Sequence, residues 1–527
     1  MKSKQAFTVR IALIVALGGF LMGFDASVIS GVVKFIETEF QLTKLQLGFS
    51  VASLTLTATL AMMFSGPLAD KYGRKTVLSW AAILFTVSAI GSAIAPTFNF
   101  LVAARMLGGF GVGAALIIAP MYIAEIAPPS MRGRMVSFNQ LNIVIGISVA
   151  FFTNYLILQL GQSDMEWTKT LKIEENNWRW MLGLETLPAV LYFFGLFAVP
   201  PSPRWQIMKG RDEKALVTLK KVVSDEEAVK QLKEVKASMQ TDENGENIKQ
   251  TGAERWAEIR SLIKPMRLVL TIGVVIAILQ QATGINSVFF YAPMIFEQSG
   301  IGTDASFIQA ILVGLTNLVF TVLAIMFIDK LGRKPLLIFG LAGIAAMMFL
   351  LSYGFGTATY TLQPEKVAEL PAEMNTEALA PIMGKTFDDD VSYKIAVREA
   401  LGDEEAAIYE SQLITAAISM NATLILIGII GFVASFAISI GPVMWVLFSE
   451  LFPLKVKGIA ISLVGFINSA VSYIVQQLFP WELDTFGSST TFLIYGIFGA
   501  IGFLFVLFVV PETKGKTLEE LEKQLVK

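Results

Sequence analysis

Twelve apolar runs of about 20 residues, near 9–31, 46–69, 77–95, 100–124, 136–160, 181–200, 267–294, 306–328, 335–356, 413–449, 457–479 and 489–510, leave this chain one class of fold. A run of that length crosses a hydrocarbon core of roughly 30 Å as a helix. In lipid every backbone N–H and C=O must find its partner within the chain, and a helix supplies those partners locally. The expected fold is an all-α membrane protein with twelve transmembrane helices. The 54% hydrophobic and 16% charged content of the 527 residues agrees with that reading and not with a soluble domain.

The runs are organised by an internal repeat. DKYGRK at Asp70 to Lys75 returns as DKLGRK at Asp329 to Lys334, 259 residues later, each between two apolar runs. Glu125 stands eight residues before Gly133 with Arg132 between; Glu450 stands eight before Gly458 with Lys457 between, an offset of 325. Two six-helix pseudo-repeats follow, residues 1–200 and 267–510, and the 66-residue growth in offset locates an insertion in the second.

Lys and Arg placement sets the expected orientation. With both termini cytoplasmic, the inside segments hold 31 basic residues and the outside loops 9, and Arg105 stands within a run. The location expected is the inner (plasma) membrane. Residues 201–266 form a charged cytoplasmic segment with helical periodicity, and 511–527 a cytoplasmic tail. Residues 356–411, with 12 acidic and 4 basic side chains, read as an acidic solvated insertion on the extracellular or periplasmic side.

The chain has no Cys and no His. That removes thiol nucleophiles, thiolate zinc sites and the usual general base, so neither an enzyme nor a metal or cofactor site is expected. GKT at Gly515 to Thr517 lacks the Gly that a phosphate-binding loop needs at 510, which is Val510.

Two opposite charges stand inside apolar runs of the first repeat, Asp25 in GGFLMGFDASVISG and Arg105 in LVAARMLGGFG. Each costs roughly 2.5–3.5 kcal/mol at the bilayer centre on insertion scales, so a pair is expected. A carboxylate that exchanges a guanidinium partner for a proton is a natural coupling element; the alternative is a static pair holding two helices together. In the seventh run, ILQQATGINSVFFYAP carries Gln280, Gln281 and Asn286. Amides offer both donors and acceptors to a neutral polyhydroxylated ligand. On an ideal helix Gln281 and Asn286 lie about 140° apart, so they face one ligand only if the helix breaks near Gly284. Otherwise the amides serve to bond neighbouring helices.

QQATGIN, with PMYIAEIAPPSMRGR, NWRWMLGLE, PSPRW, GPVMWVLFSELFP and the terminal PETKGKTLEEL, closely resembles the sugar porter family of the major facilitator superfamily, over nearly the whole chain apart from the insertion. Within it the resemblance is greatest to the bacterial proton-coupled pentose and hexose symporters, those for xylose in particular. The resemblance implies the major facilitator fold and a monomer in the lipid bilayer that moves a monosaccharide with a proton by alternating access, with no nucleic-acid partner. It implies that Gln140, Gln280, Gln281, Asn286, Asn317 and Asn468 bind sugar hydroxyls, that Trp445 offers an aromatic face, and that Asp25 and Arg105 carry the coupling. Asp70, Arg74, Glu125, Arg132, Asp329, Arg333, Glu450 and Lys457 would form a cytoplasmic gate. The pattern departs from the xylose-transporting members at Ile147, Phe290 and Ser469, where polar or aromatic residues are usual, and at Pro201 in place of a Glu. A facilitative uniporter and a membrane sugar receptor are the rival readings.

Overall fold

The structure is a computed structural model that describes residues 2–128, 131–244, 266–368, 370–371, 373–452, 457–516 and 520–521. Numbering only the spanning helices, α1 is Lys2–Val28, α2 Lys44–Tyr72, α3 Arg74–Ala93, α4 Phe98–Ile126 and α5 Arg132–Gly161. Next, α6 runs Asn177–Phe197, α7 Arg267–Phe290, α8 Thr303–Leu331, α9 Arg333–Gly356 and α10 Ala422–Leu451. A last stretch, Ala460–Phe508, has 49 residues. At 1.5 Å per residue it is about 74 Å long, enough for two crossings. It is divided at Gly487, whose φ of 78° is not helical. With residues 457–459, which open the same helix, we number its parts α11 (457–486) and α12 (488–508), giving twelve among the described residues.

The doubled hexapeptide is a helix-to-helix turn. Gly73 (φ 99°) and Gly332 (φ 97°) sit between α2 and α3 and between α8 and α9, in backbone that a residue with a Cβ rarely adopts. Elsewhere polar caps set the boundaries: Thr97 Oγ1 accepts from Phe100 N at the start of α4, and Asn421 Oδ1 from Thr423 N and Leu424 N at the start of α10.

The chain forms two compact units: residues 1–26, 53–147 and 182–266, and residues 27–52, 148–181 and 267–527. Helices α1, α2, α5 and α6 therefore each pass from one unit to the other. In the first unit, small residues bring backbones together. A Cβ on Gly23 would overlap Ile143 O, one on Gly146 would overlap Phe20 O, and one on Gly113 would overlap Ala58 O. This joins α1 to α5 and α4 to α2. The second unit joins the ends of α1, α2 and α5 farthest from the termini to the second repeat. Gly48 abuts the backbone of Gln477, Ser148 Oγ donates to Gly314 O at 2.9 Å, and Lys34 Nζ reaches Glu297 Oε1 at 2.8 Å.

The region between α9 and α10 differs from its sequence expectation. It is folded, and it extends to Asn421, so α10 begins at Ala422 and not near 413. Strands β1 (Thr359–Thr361), β2 (Thr386–Phe387) and β3 (Ile418–Ser419) form an antiparallel sheet in the order β2-β1-β3. Helices Asp390–Leu401, Asp403–Ile408 and Glu410–Ala417 pack around a core of its own that includes Leu362, Leu379, Tyr393, Val397 and Leu413. The apolar residues after 411 that seemed to open α10 close this small domain instead.

Of the charged segment after α6, the structure describes helices Pro203–Met208, Asp212–Lys220 and Asp225–Asn244.

Candidate functional site

Sequence reasoning asked for a break in α7, and it is there. The helix stops at Ala282, Gly284 takes the left-handed conformation (φ 86°, ψ 17°), and the chain resumes helix at Ile285. Helix α10 is likewise interrupted at Ser439 (φ −125°, ψ −106°). Broken spans of this kind free backbone groups and turn side chains into a common space.

Around the first break the amides form one hydrogen-bonded cluster. Asn468 Nδ2 on α11 donates to Gln280 Oε1 at 2.7 Å and to Ala277 O at 2.9 Å. Gln281 Nε2 donates to Gln280 Oε1 at 3.2 Å and to Asn468 Oδ1 at 3.3 Å. Asn286 Nδ2, past the break, reaches back to Gln281 Oε1 at 2.8 Å and across to Ser472 Oγ at 2.6 Å. Gln280 Nε2 donates to Ile440 O and Gly441 O, just beyond the break in α10. Ser472 and Gln476, which donates to Ser472 Oγ at 2.7 Å, were not among the expected residues. They lie one and two turns beyond Asn468, and that spacing was the available signal.

The remaining expected sugar contacts are placed separately. Asn317 is buried on α8. Trp445 on α10 is 46% exposed and meets Phe448 edge-on. Gln140 is exposed on α5, in the first unit. Ile147 offers no hydrogen-bonding side chain, and Phe290 is buried.

The expected charge pair is also formed. Arg105 Nη1 on α4 lies 3.5 Å from Asp25 Oδ1 on α1, and both residues are about 1% exposed. The second carboxylate oxygen, Oδ2, has no hydrogen-bond partner among the described residues. A Cβ on Gly108 would stand 2.8 Å from that oxygen, so the glycine keeps the space beside it. A third charge was missed: Glu185 on α6 is 2% exposed and within electrostatic reach of both Asp25 and Arg105. The rule that singled out Asp25 and Arg105, a charge inside an apolar run, would have found it in NWRWMLGLE.

At the ends of the helices nearest the termini, the two repeats build matching clusters. Arg74 spans Glu125 Oε1 (2.9 Å) and Asp70 Oδ1 (2.8 Å), while the Ser202 hydroxyl bonds Glu125 Oε2. Arg333 spans Glu450 Oε1 (2.7 Å) and Asp329 Oδ1 (3.0 Å), while Thr513 Oγ1 donates to Glu450 Oε2 at 2.6 Å. The copies differ at one point. Glu512 accepts from Arg333 N and Lys334 N, both at 3.1 Å, capping α9, and Pro201 cannot repeat that service for α3. The Arg132 side chain lies outside the described residues. Lys457 opens α11 and makes no ion pair among them.

A twelve-helix bundle with broken spans and a buried charge pair defines a membrane transporter, and the comparisons say of which kind. The family model described as "Sugar (and other) transporter" matches residues 11–370 and 406–525, so the chain belongs to that family of the major facilitator superfamily. The unmatched stretch falls within the small inserted domain.

The chain is 34% identical to the D-xylose-proton symporter of Escherichia coli (strain K12), with 98% of this chain and 96% of that one covered. It is 32% identical to the arabinose-proton symporter of Bacillus subtilis (strain 168), covering 99% and 96%. It is 33% identical to a glucose transport protein of Synechocystis, covering 98% and 97%. Among solved structures, the partially occluded inward open form of the E. coli xylose transporter XylE matches with a TM-score of 0.72 at 32% identity, over 97% of this chain and all of that one. The proton:xylose symporter XylE bound to 6-bromo-6-deoxy-D-glucose matches with 0.67 at 33%, over 99% of each.

Proposed function

We propose that the chain imports a monosaccharide, a pentose or hexose, with a proton by alternating access. The observation that carries the coupling half of this reading is the buried Asp25–Arg105 pair. Ion pairs out of water return their desolvation cost only with good geometry; one held at 3.5 Å with a carboxylate oxygen unpartnered is better suited to exchange than to support. Protonation of Asp25 removes its charge and releases Arg105, and Glu185 is near enough to take part. The names of the relatives, symporters for xylose and arabinose among them, support the same reading.

For recognition, Gln280, Gln281, Asn286 and Asn468 already exchange hydrogen bonds among themselves. Sugar hydroxyls can replace these bonds one for one, so binding leaves no amide stranded. Asn317 and Gln140 would add polar contacts and Trp445 a face for the sugar's C–H surface. The apolar Ile147 fits a sugar that needs fewer hydroxyl contacts there. The Lys and Arg bias supports cytoplasmic termini in an inner membrane, and the segmentation into halves 1–200 and 267–510 joined by 201–266. On that orientation the Arg74 and Arg333 clusters lie inside and the inserted domain outside, with the carrier working as a monomer.

The test is proton movement. Cells or proteoliposomes carrying the protein should alkalinise the outer medium when xylose, arabinose, glucose or galactose is added. Asp25→Asn should abolish that signal and keep sugar counterflow. Uptake indifferent to a protonophore would leave a uniporter, and absent counterflow with all four sugars would remove the transport reading itself.

A further inference from the structure

The domain of residues 357–421 is tied in two directions. Toward its own half, Asp390 Oδ2 accepts from Ser488 N and Oγ, both at 3.1 Å, and Arg398 pairs with Asp484, both partners lying in the α11–α12 region. Ser411 Oγ donates to Glu297 Oε2 at 3.0 Å, in the short helix after α7. Toward the first repeat it meets the segment between α1 and α2 and the first residue of α2, Lys44. Lys44 Nζ lies 3.2 Å from Glu410 Oε2 and 2.7 Å from Glu37 Oε1, and Gln41 Nε2 donates to Glu404 Oε1 at 2.7 Å. The side chains of Lys44, Glu37 and Glu410 are only 16–20% exposed, so these pairs are screened less than surface ones. The same unit seals nearby, with Lys34 on Glu297 and Gly48 against Gln477.

We infer that this inserted domain is a latch that holds the far-side ends of α1 and α2 to the second half, and so biases the carrier toward the form closed on that side. The partners are chosen so that it can let go. If the two sides part, Lys44 keeps Glu37 from its own segment, and Glu410 keeps Lys394 at 3.5 Å within the domain. Neither charge is left alone, which is what separates a reversible catch from a permanent strut. The domain's own fold does not depend on the catch: the stacked Tyr360 and Tyr393 rings (5.5 Å) and the bond from Tyr393 OH to Leu413 O lie in its core. The inference rests on the alternating-access reading for its functional meaning, and on the contacts alone for its structural one.

The chain has no Cys, so two spin labels can be placed cleanly. With labels at Thr43→Cys and Glu399→Cys, both exposed, the distance distribution should show one dominant short population in the otherwise wild-type protein. Adding Glu404→Ala and Glu410→Gln should raise a longer population about threefold or more, as expected for losing one hydrogen bond and the charge of one ion pair. A distribution unchanged by the paired substitution overturns the latch. Lys44→Met should give the same lengthening, and its failure to do so would overturn the assignment of Lys44 as the catch. These distances are read on purified protein without sugar, so they stand or fall separately from the transport assay.

Discussion

Taking a guanidinium and a carboxylate out of water costs several kcal/mol per ion, and in Asp25 and Arg105 this chain does so without giving the carboxylate a full set of partners. The space beside Oδ2 is kept by Gly108 and bordered by Ser88, since a Cβ there would stand 2.5 Å from Ser88 Oγ. Gly108→Ala should therefore lower proton-coupled uptake several-fold while sugar counterflow falls less; equal loss of both would mean that the space serves packing only. In the amide cluster, Asn468 donates to Gln280 Oε1 and Ala277 O and accepts from Gln281 Nε2. Asn468→Ala removes a polar group from the cluster and strands its partners, at about 1–3 kcal/mol, so equilibrium sugar binding should weaken on the order of tenfold and thermal stability should fall with it. At this scale the sequence was informative where a polar residue stood in apolar surroundings, as with Asp25, Arg105 and the α7 amides. Ser472 went unread because a serine in a membrane helix ordinarily bonds its own backbone.

The break at Gly284 was legible because two amides five residues apart could not share a ligand on an unbroken helix. The inserted domain was not legible, for the opposite reason. Its strands are two or three residues long, too short for an alternating pattern to register. Its acidic residues hid the apolar spacing of Tyr393 and Val397 on the helix Asp390–Leu401. Charge in this element has a purpose that pH can expose. Glu410 is held down to about 2: burial works the other way, and Lys44, Lys394 and Arg398 outweigh it. A carboxylate lowered in this way stabilises the contact above its ordinary range near 4.5, and that stabilisation is lost as pH falls toward 2. Glu37, raised by burial against the pull of Lys44, contributes in the opposite sense. As Glu410 takes up a proton, the spin-label distance should lengthen as pH falls below about 4.5. In Glu410→Gln this acid-dependent lengthening should be absent.

Across the whole molecule the repeat gives two charge clusters with one plan and unequal depth. The Glu125 side chain is 7% exposed and that of Glu450 23%. Removing one partner of a buried pair costs far more than removing a solvated one. Glu125→Gln should lower the melting temperature clearly more than Glu450→Gln, by a difference of roughly 1–2 kcal/mol in stability; equal shifts would show that burial does not rank the two. The repeated motifs announced this plan in the sequence, whereas the division of the chain into its two compact units did not follow the repeat. That division passes between Ala26 and Ser27, so α1 changes company two residues after Asp25. A change of charge on Asp25 would therefore fall within one helical turn of the point where the chain leaves one unit for the other, and not in the middle of either.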